Sequence, residues 1–359
     1  MKKILVDIYL AFNLGDDMFL DVLAKRYPDA QITIYHPGRN YNVFLENYNN
    51  VNKFPYSLLD KISRMFKVYD VLTDYNKMAR EYDILLFLGG GIFREESYSD
   101  YLLDYRKNII ISFKKKCKKV YFLGCSFGPF KSEDYYNSYA DLFKMSDDVC
   151  FRDSYSYELF KGHSNIRMAP DILWSYSINK IEKTNNSIGY SIINPNHKFG
   201  LAKHFEEYIN YISNNIVKNL QDGLDVSLLS FCEKEGDMIA IETILKRIPV
   251  KMRQQISIVN YSGDINSVIS IISKLEYFVA GRFHAVILGF KYGSNVLPVV
   301  YSNKTRNLLD DINYDGEVIE FDKLNMIPRD NCYNTIDLKY LRNNSTLHFK
   351  MLDNELEKK

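Results

Sequence analysis

No stretch of this 359-residue chain is apolar for long enough to cross a membrane, since every hydrophobic run ends well short of the roughly 20 residues a spanning helix needs. Cysteine is scarce. The five present (Cys117, Cys125, Cys150, Cys232, Cys332) lie far apart and form no CxxC pair. An odd, scattered set excludes a disulfide framework and a cysteine-rich zinc site, and it fits a reducing cytoplasm. An excess of charge of either sign is also missing. With 46 Lys and Arg against 45 Asp and Glu, the formal charge is +1, so no global footprint for nucleic acid or membrane is expected. No internal repeat with a fixed short period and no low-complexity tract occurs. Neither GxGxxG nor GxxxxGK[ST] is present, so a dinucleotide or P-loop site lacks its fingerprint.

The chain opens with MKKILVDIYLAFNLGDD, a positive start and an apolar run, as in a signal peptide. The run is short, contains Asp7 and lacks a small-residue cleavage site, so it is read as a buried first strand. At this length one core is too few, and two domains are the expectation. Short apolar runs alternate with longer helical patterns. Strands are expected at 3–10, 31–36, 83–89, 119–125 and 148–151. After a polar, aperiodic stretch at 177–186, read as a linker, more follow at 187–193, 225–231, 255–261, 276–281 and 295–301. A helix is expected over 203–220, and the basic run at 113–120 reads as the end of another, where cations suit the dipole. Alternating strands and helices predict βαβ units, hence two Rossmann-like α/β domains with parallel sheets facing a cleft. The first is placed at 1–176 and the second at 187–334, with 335–359 a helix packing back on the first.

In open α/β sheets ligands bind beyond the carboxyl ends of the strands. Polar and glycine-rich stretches recur at that position here. Asn13, Gly15 and Asp16 follow the first strand, either as helix caps or as site residues. Gly89, Gly90 and Gly91 come after Asp83-Ile-Leu-Leu-Phe87, either as a tight turn or as a backbone cradle for an anion. Ser126 lies in Gly124-Cys-Ser-Phe-Gly-Pro129. Arg152 opens a helix start that Asp153 or Ser154 caps, where a cation opposes the dipole. It serves either an anion or a neighbouring carboxylate. Arg282 and His284 stand together after the 276–281 run, at a helix start where neither is useful to a core. The 29 tyrosines, many in polar contexts such as NYNVFLENYNN, read either as ordinary exposed residues or as a sugar-stacking surface.

Taken in order, these pieces resemble the polysaccharide pyruvyl transferase family. They are Asn13-Leu-Gly-Asp16, Gly89-Gly-Gly91, Gly124-Cys-Ser-Phe-Gly-Pro129, Arg152-Asp-Ser-Tyr-Ser156, Pro170-Asp171, Arg282-Phe-His-Ala285 and Tyr301-Ser-Asn-Lys304. The resemblance runs from residue 1 to about 310. No single motif is specific; the ordered set is. The chain departs from the family at Ala280-Gly281, where serine or threonine is frequent, at Phe283, where leucine is usual, and at Asp17, where glutamate is common.

The resemblance implies a GT-B-like fold and transfer of a pyruvyl group from phosphoenolpyruvate to two hydroxyls of one sugar. The first domain would take the acceptor, the second the donor. The resemblance implies Arg152 and Arg282 as clamps for the donor's anions, His284 as proton shuttle, Lys304 as a phosphate ligand and Asp16 as base or orienter of a hydroxyl. Asn13, Gly89, Gly90, Gly91 and Ser126 would line the substrate site. No cofactor and no metal is expected, phosphoenolpyruvate being a substrate. The expected partners are that donor and a sugar or lipid-linked oligosaccharide, at the cytoplasmic face of the membrane, with no nucleic acid. Two alternatives stand beside this one: a GT-B glycosyltransferase using a nucleotide sugar, and a non-catalytic glycan-binding relative.

Overall fold

A computed structural model of the chain describes residues 1–35, 40–55, 73–96, 99–177, 182–321, 323–324 and 336–358. Part of the expected linker (178–181) and Cys332 lie outside the described residues. The chain divides into two compact units. The first comprises Met1–Leu10, Phe19–Ile172 and Asn343–Lys359, the second Ala11–Met18 and Leu173–Arg342. The first boundary falls inside the helix Leu14–Arg26, so Asn13, Gly15 and Asp16 group with the second unit and not with the first sheet they follow in sequence.

The first unit carries seven strands, all parallel: β1 (Lys3–Asp7), β2 (Gln31–Tyr35), β3 (Val51–Lys53), β4 (Ile84–Phe93), β5 (Lys119–Phe127), β6 (Asp148–Phe151) and β7 (Ile166–Met168). Their order is β3-β2-β1-β4-β5-β6-β7. The second unit repeats the plan with β8 (Thr184–Ile192), β9 (Asp225–Ser230), β10 (Ile256–Asn260), β11 (Leu275–Ala280), β12 (Asn295–Val300) and β13 (Ile319–Glu320). Its order is β10-β9-β8-β11-β12-β13. In each sheet the chain works outward from the first strand to one edge, then crosses back, so a switch point lies between β1 and β4 and another between β8 and β11. The central strands are apolar throughout (Ile4, Leu5 and Val6; Leu85, Leu86 and Phe87) because a parallel sheet buries both faces.

Three short strands escape the sequence pattern: β3, β7 and β13 have three, three and two residues, too few to show a period. The expected strand at 83–89 runs on to Phe93, so the glycine triplet lies inside β4, where the register with β5 shifts, and the next helix begins only at Ser99. Gly89 and Gly90 both have φ of 72°, and a Cβ on Gly89 would come within 2.3 Å of the Phe19 ring. The helix at Phe205–Gln221 follows a short 3-10 turn at Ala202–His204. The basic run does end a helix, at Lys115, and three of its five lysines are paired: Lys114 and Lys119 with Asp147, Lys118 with Asp83.

The tyrosines are the larger surprise. Tyr41, in NYNVFLENYNN, and Tyr105, in the equally polar EESYSDYLLDY, are buried, while Tyr101 of the latter is exposed. Buried tyrosine hydroxyls meet carboxylates: Tyr105 donates to Asp7 (3.1 Å), Tyr261 to Asp17 (2.7 Å) and Tyr27 to Asp353 (2.6 Å). These rings are core, and each polar tip has its hydrogen bond. The last segment, Asn343–Lys359, belongs to the first unit, where Arg26 and Tyr27 both reach Asp353 and Lys2 pairs with Glu355. Among the described residues, no helix is long and apolar enough to cross a membrane.

Candidate functional site

In the second unit, the site forms where the strand order switches. β8 and β11 are neighbours, and the chain leaves them in opposite senses. Beyond β11 comes Gly281, whose backbone N donates to Ser191 O of β8 at 3.0 Å. A Cβ on Gly281 would lie 2.4 Å from that oxygen, so glycine is what allows the two strand ends to approach here. Arg282 then stands at the N-cap of the helix Phe283–Lys291, and its backbone N donates to the Ser191 hydroxyl at 3.3 Å. His284 follows in the first turn, buried. Gly15, in the first turn of the helix Leu14–Arg26, faces it: a Cβ there would lie 1.6 Å from His284 Nδ1. The Asn13-Leu-Gly-Asp16 motif therefore brings bare backbone against the imidazole.

Arg282 is buried, and all three of its guanidinium nitrogens are engaged. Nε donates to Asp237 Oδ2 at 3.0 Å, Nη2 to Asp237 Oδ1, and Nη1 to Glu235 Oε2 at 2.5 Å. Asp237 opens the helix Asp237–Arg247 beyond β9 and is fully enclosed. Its Oδ2 also accepts from the backbone N of Phe231 and Cys232. Glu235 ends the 3-10 turn Glu233–Glu235, just before Gly236, which adopts φ of 80°. Its Oε2 also accepts from Lys198 Nζ, and its Oε1 lies 3.4 Å from Asn13 Nδ2. Burial works against ionising Glu235, but Arg282 and Lys198 outweigh it and hold the carboxyl well below its ordinary range.

The sequence reading placed Asn13, Asp16, Arg282, His284 and Lys304 as site residues, and all five lie in the second unit. Asn13 is also a cap, since its Oδ1 accepts from Gly15 N at 3.2 Å. Asp16 is buried one residue beyond Gly15. Lys304 sits half-buried in the first turn of the helix Asn303–Asp311 beyond β12. The fork of Arg282 holds two carboxylates, each of Nε, Nη1 and Nη2 using one N–H. Lys198, Glu235 and Asp237 fall outside the ordered motifs. Lys198 lies past the end of β8, on the side of the sheet where open α/β sheets bind ligands.

The remaining expected residues lie in the first unit and form a second group. Arg152, beyond β6, is buried. Its Nε donates to the Ser126 hydroxyl of β5 at 2.7 Å, and its Nη1 pairs with Asp171 at 3.0 Å. The ion-pair alternative for Arg152 is thus present. Three motifs that look independent in sequence, Gly124 to Pro129, Arg152-Asp153 and Pro170-Asp171, converge in this one contact. Asp153 caps the helix Ser154–Phe160 by accepting from Ser156 N. The C-terminal segment braces the group: His348 Nε2 lies 2.9 Å from Pro170 O, and Arg167 donates to the Leu347 and His348 carbonyls while pairing with Asp148. Gly89, Gly90 and Gly91 belong to this unit as well, with Arg94 Nε on Gly91 O at 3.2 Å. Among the described residues no group of three or more His, Cys, Asp or Glu is arranged to hold a metal ion.

Two α/β units, each on a parallel sheet with a switch point, make a GT-B-like fold, and solved structures agree. The chain is similar to Anabaena Alr3699/HepE in complex with UDP (11% identity, TM-score 0.55, covering 99% of this chain and 91% of that one). It is also similar to the UDP-GlcNAc 2-epimerase of Methanocaldococcus jannaschii (10%, 0.55, 99% and 100%) and to a putative UDP-N-acetylglucosamine 2-epimerase of Listeria monocytogenes (11%, 0.53, 98% and 91%). At these identities the likeness shows the fold. No curated protein matches the chain in sequence. The family model for polysaccharide pyruvyl transferase matches residues 13–303, and the chain belongs to that family of transferases.

Proposed function

We propose that the protein transfers the pyruvyl group of phosphoenolpyruvate to two hydroxyls of one sugar, in a cell-surface polysaccharide or its lipid-linked precursor, and closes a cyclic ketal. The observation that carries this reading is the family match, which spans the ordered motifs from Asn13 to Asn303. The chemistry suits the residues. Phosphoenolpyruvate carries two anionic groups, and the Arg282 site holds forked and point cations at a helix start. His284 delivers a proton to the methylene, which becomes the methyl group. The first sugar hydroxyl bonds to C2 and gives up its proton, with Asp16 as acceptor. The C2–O bond to phosphate then breaks as the second hydroxyl bonds to C2, and the second proton leaves with phosphate. Two hydroxyl protons are lost; one equivalent ends on the methyl carbon and one on phosphate. Arg152 enters through position, since Ser126 and Asp171 enclose it.

Calorimetric titration of phosphoenolpyruvate, followed by assay of phosphate release with candidate sugars, tests the reading. Saturable binding by the parent is expected. His284→Asn should keep that binding while turnover falls about 10²–10⁴-fold, the usual weight of a general acid. A parent that ignores phosphoenolpyruvate but binds a nucleotide sugar would establish the glycosyltransferase alternative instead.

A further inference from the structure

Beside Arg282 stands a second cation that no motif covers. Lys198, past the end of β8, and Arg282, past the end of β11, both grip the carboxylate of Glu235, and the Asn13 amide approaches its other oxygen. The two carboxylates at Arg282 differ sharply. Asp237 is fully enclosed, meets the guanidinium at two points and accepts two backbone N–H bonds. Glu235 keeps 27% of its side chain exposed and sits on a 3-10 turn that ends in left-handed Gly236. Removing Asp237 strands a buried charge; swinging Glu235 outward returns a carboxylate to water. With Glu235 out, Lys198, Arg282 and Asp237 sum to one positive charge, next to the positive end of the helix Phe283–Lys291.

We infer that Lys198, Arg282 and the Asn13 amide form a binding site for a phosphate or carboxylate group, which Glu235 occupies as an internal stand-in and vacates when the ligand arrives. This rests on the proposed function only for the ligand's identity as phosphoenolpyruvate; the site itself follows from the charges. Gly236 is part of the device. A Cβ there would come within 2.6 Å of Asn194 Nδ2 and 3.0 Å of His197 Nε2, so glycine lets the Glu235 turn lie close against the loop that carries Lys198.

The test is calorimetric titration with inorganic phosphate, a probe that does not depend on pyruvyl chemistry. Glu235→Gln keeps the shape and removes the competing charge, so phosphate should bind about tenfold tighter than to the parent, a change typical of one close charge contact. Lys198→Met should bind about tenfold more weakly. Unchanged or weaker binding by Glu235→Gln would overturn the inference, because Glu235 would then merely hold the cations in place. Should Glu235→Gln fail to fold, Lys198→Met decides alone, and unaltered affinity there overturns the assignment. Parallel titration with phosphoenolpyruvate separates the two ideas. The phosphate result judges the site, whereas phosphoenolpyruvate that binds no better than phosphate counts against the pyruvyl donor alone.

Discussion

Arg152 and Arg282 begin alike and end differently. Each follows a parallel strand, each precedes a helix, and each is buried in an ion pair. Arg152 meets one carboxylate and one hydroxyl, its side chain is 3% exposed, and it stands beyond β6, two strands from β4 at the switch point of its sheet. Arg282 stands at the switch point itself and meets two carboxylates, one of which it shares with Lys198. A pair enclosed on both sides fixes structure. A cation pair sharing a half-accessible carboxylate has a partner to exchange. The comparison separates a brace from a binding site, although the two arginines look equivalent as residues in a motif.

The largest expected effect breaks the Arg282 side. Asp237→Ala leaves a buried guanidinium short of its bidentate partner and two backbone N–H groups without an acceptor. Losing one member of a buried pair costs about 3–5 kcal/mol, so urea unfolding should show a drop of that order. An undiminished midpoint would show that Glu235 alone satisfies Arg282. Gly15→Ala strikes the same site sterically, driving a methyl into the His284 ring. Overpacking costs about 1–3 kcal/mol, and a displacement near 1 Å at a catalytic group costs about 10²-fold in rate. Steady-state turnover of a folded Gly15→Ala protein is the check, and full activity would remove His284 from the chemistry.

Smaller effects sharpen the brace. Ser126→Ala removes one charge-assisted hydrogen bond to Arg152 and should cost about 1.5 kcal/mol in the same unfolding assay. If it instead lowered phosphate affinity tenfold, Arg152 would belong with the ligand and the contrast would fail. His348, which bonds to the carbonyl of Pro170, has its pKa pushed down to about 3 by burial, with Arg167 and Arg152 adding to the effect. The folded value lies below the unfolded one near 6.5, so the unfolded chain binds the proton first. The stability this histidine contributes is complete above about pH 6.5 and is lost as pH falls toward 3, at no more than about 1.4 kcal/mol per pH unit. Equilibrium unfolding across pH 4 to 7 should show that slope, and His348→Gln should flatten it. A parallel decline in both proteins would assign the acid sensitivity elsewhere.

How much was legible beforehand depends on the range of the interaction. Ten of the strands announce themselves as apolar runs. The missed ones, β3, β7 and β13, are too short for any period and exist because a neighbouring strand pairs with them. Three consecutive glycines suggest a turn past the strand, whereas pairing with β5 carries that strand through them. Several tyrosines with polar neighbours in sequence are buried, and some of their hydroxyls meet carboxylates far along the chain, such as Asp17 for Tyr261, which only folding brings within reach.

The sequence by itself determined the alternation that makes two parallel α/β sheets, the family's ordered motifs, and the placing of Arg282 and His284 at the end of a strand. These are local patterns, fixed by side-chain period and by which residues suit a strand-to-helix turn. Only the tertiary structure decided what each arginine faces. Asp171 lies 19 residues beyond Arg152, Asp237 and Glu235 lie 45 and 47 before Arg282, and Lys198 stands 37 before Glu235. Charges pair across such distances only after the strand order has brought their loops together, and it is that order which turned one arginine into a brace and left the other with an exchangeable partner.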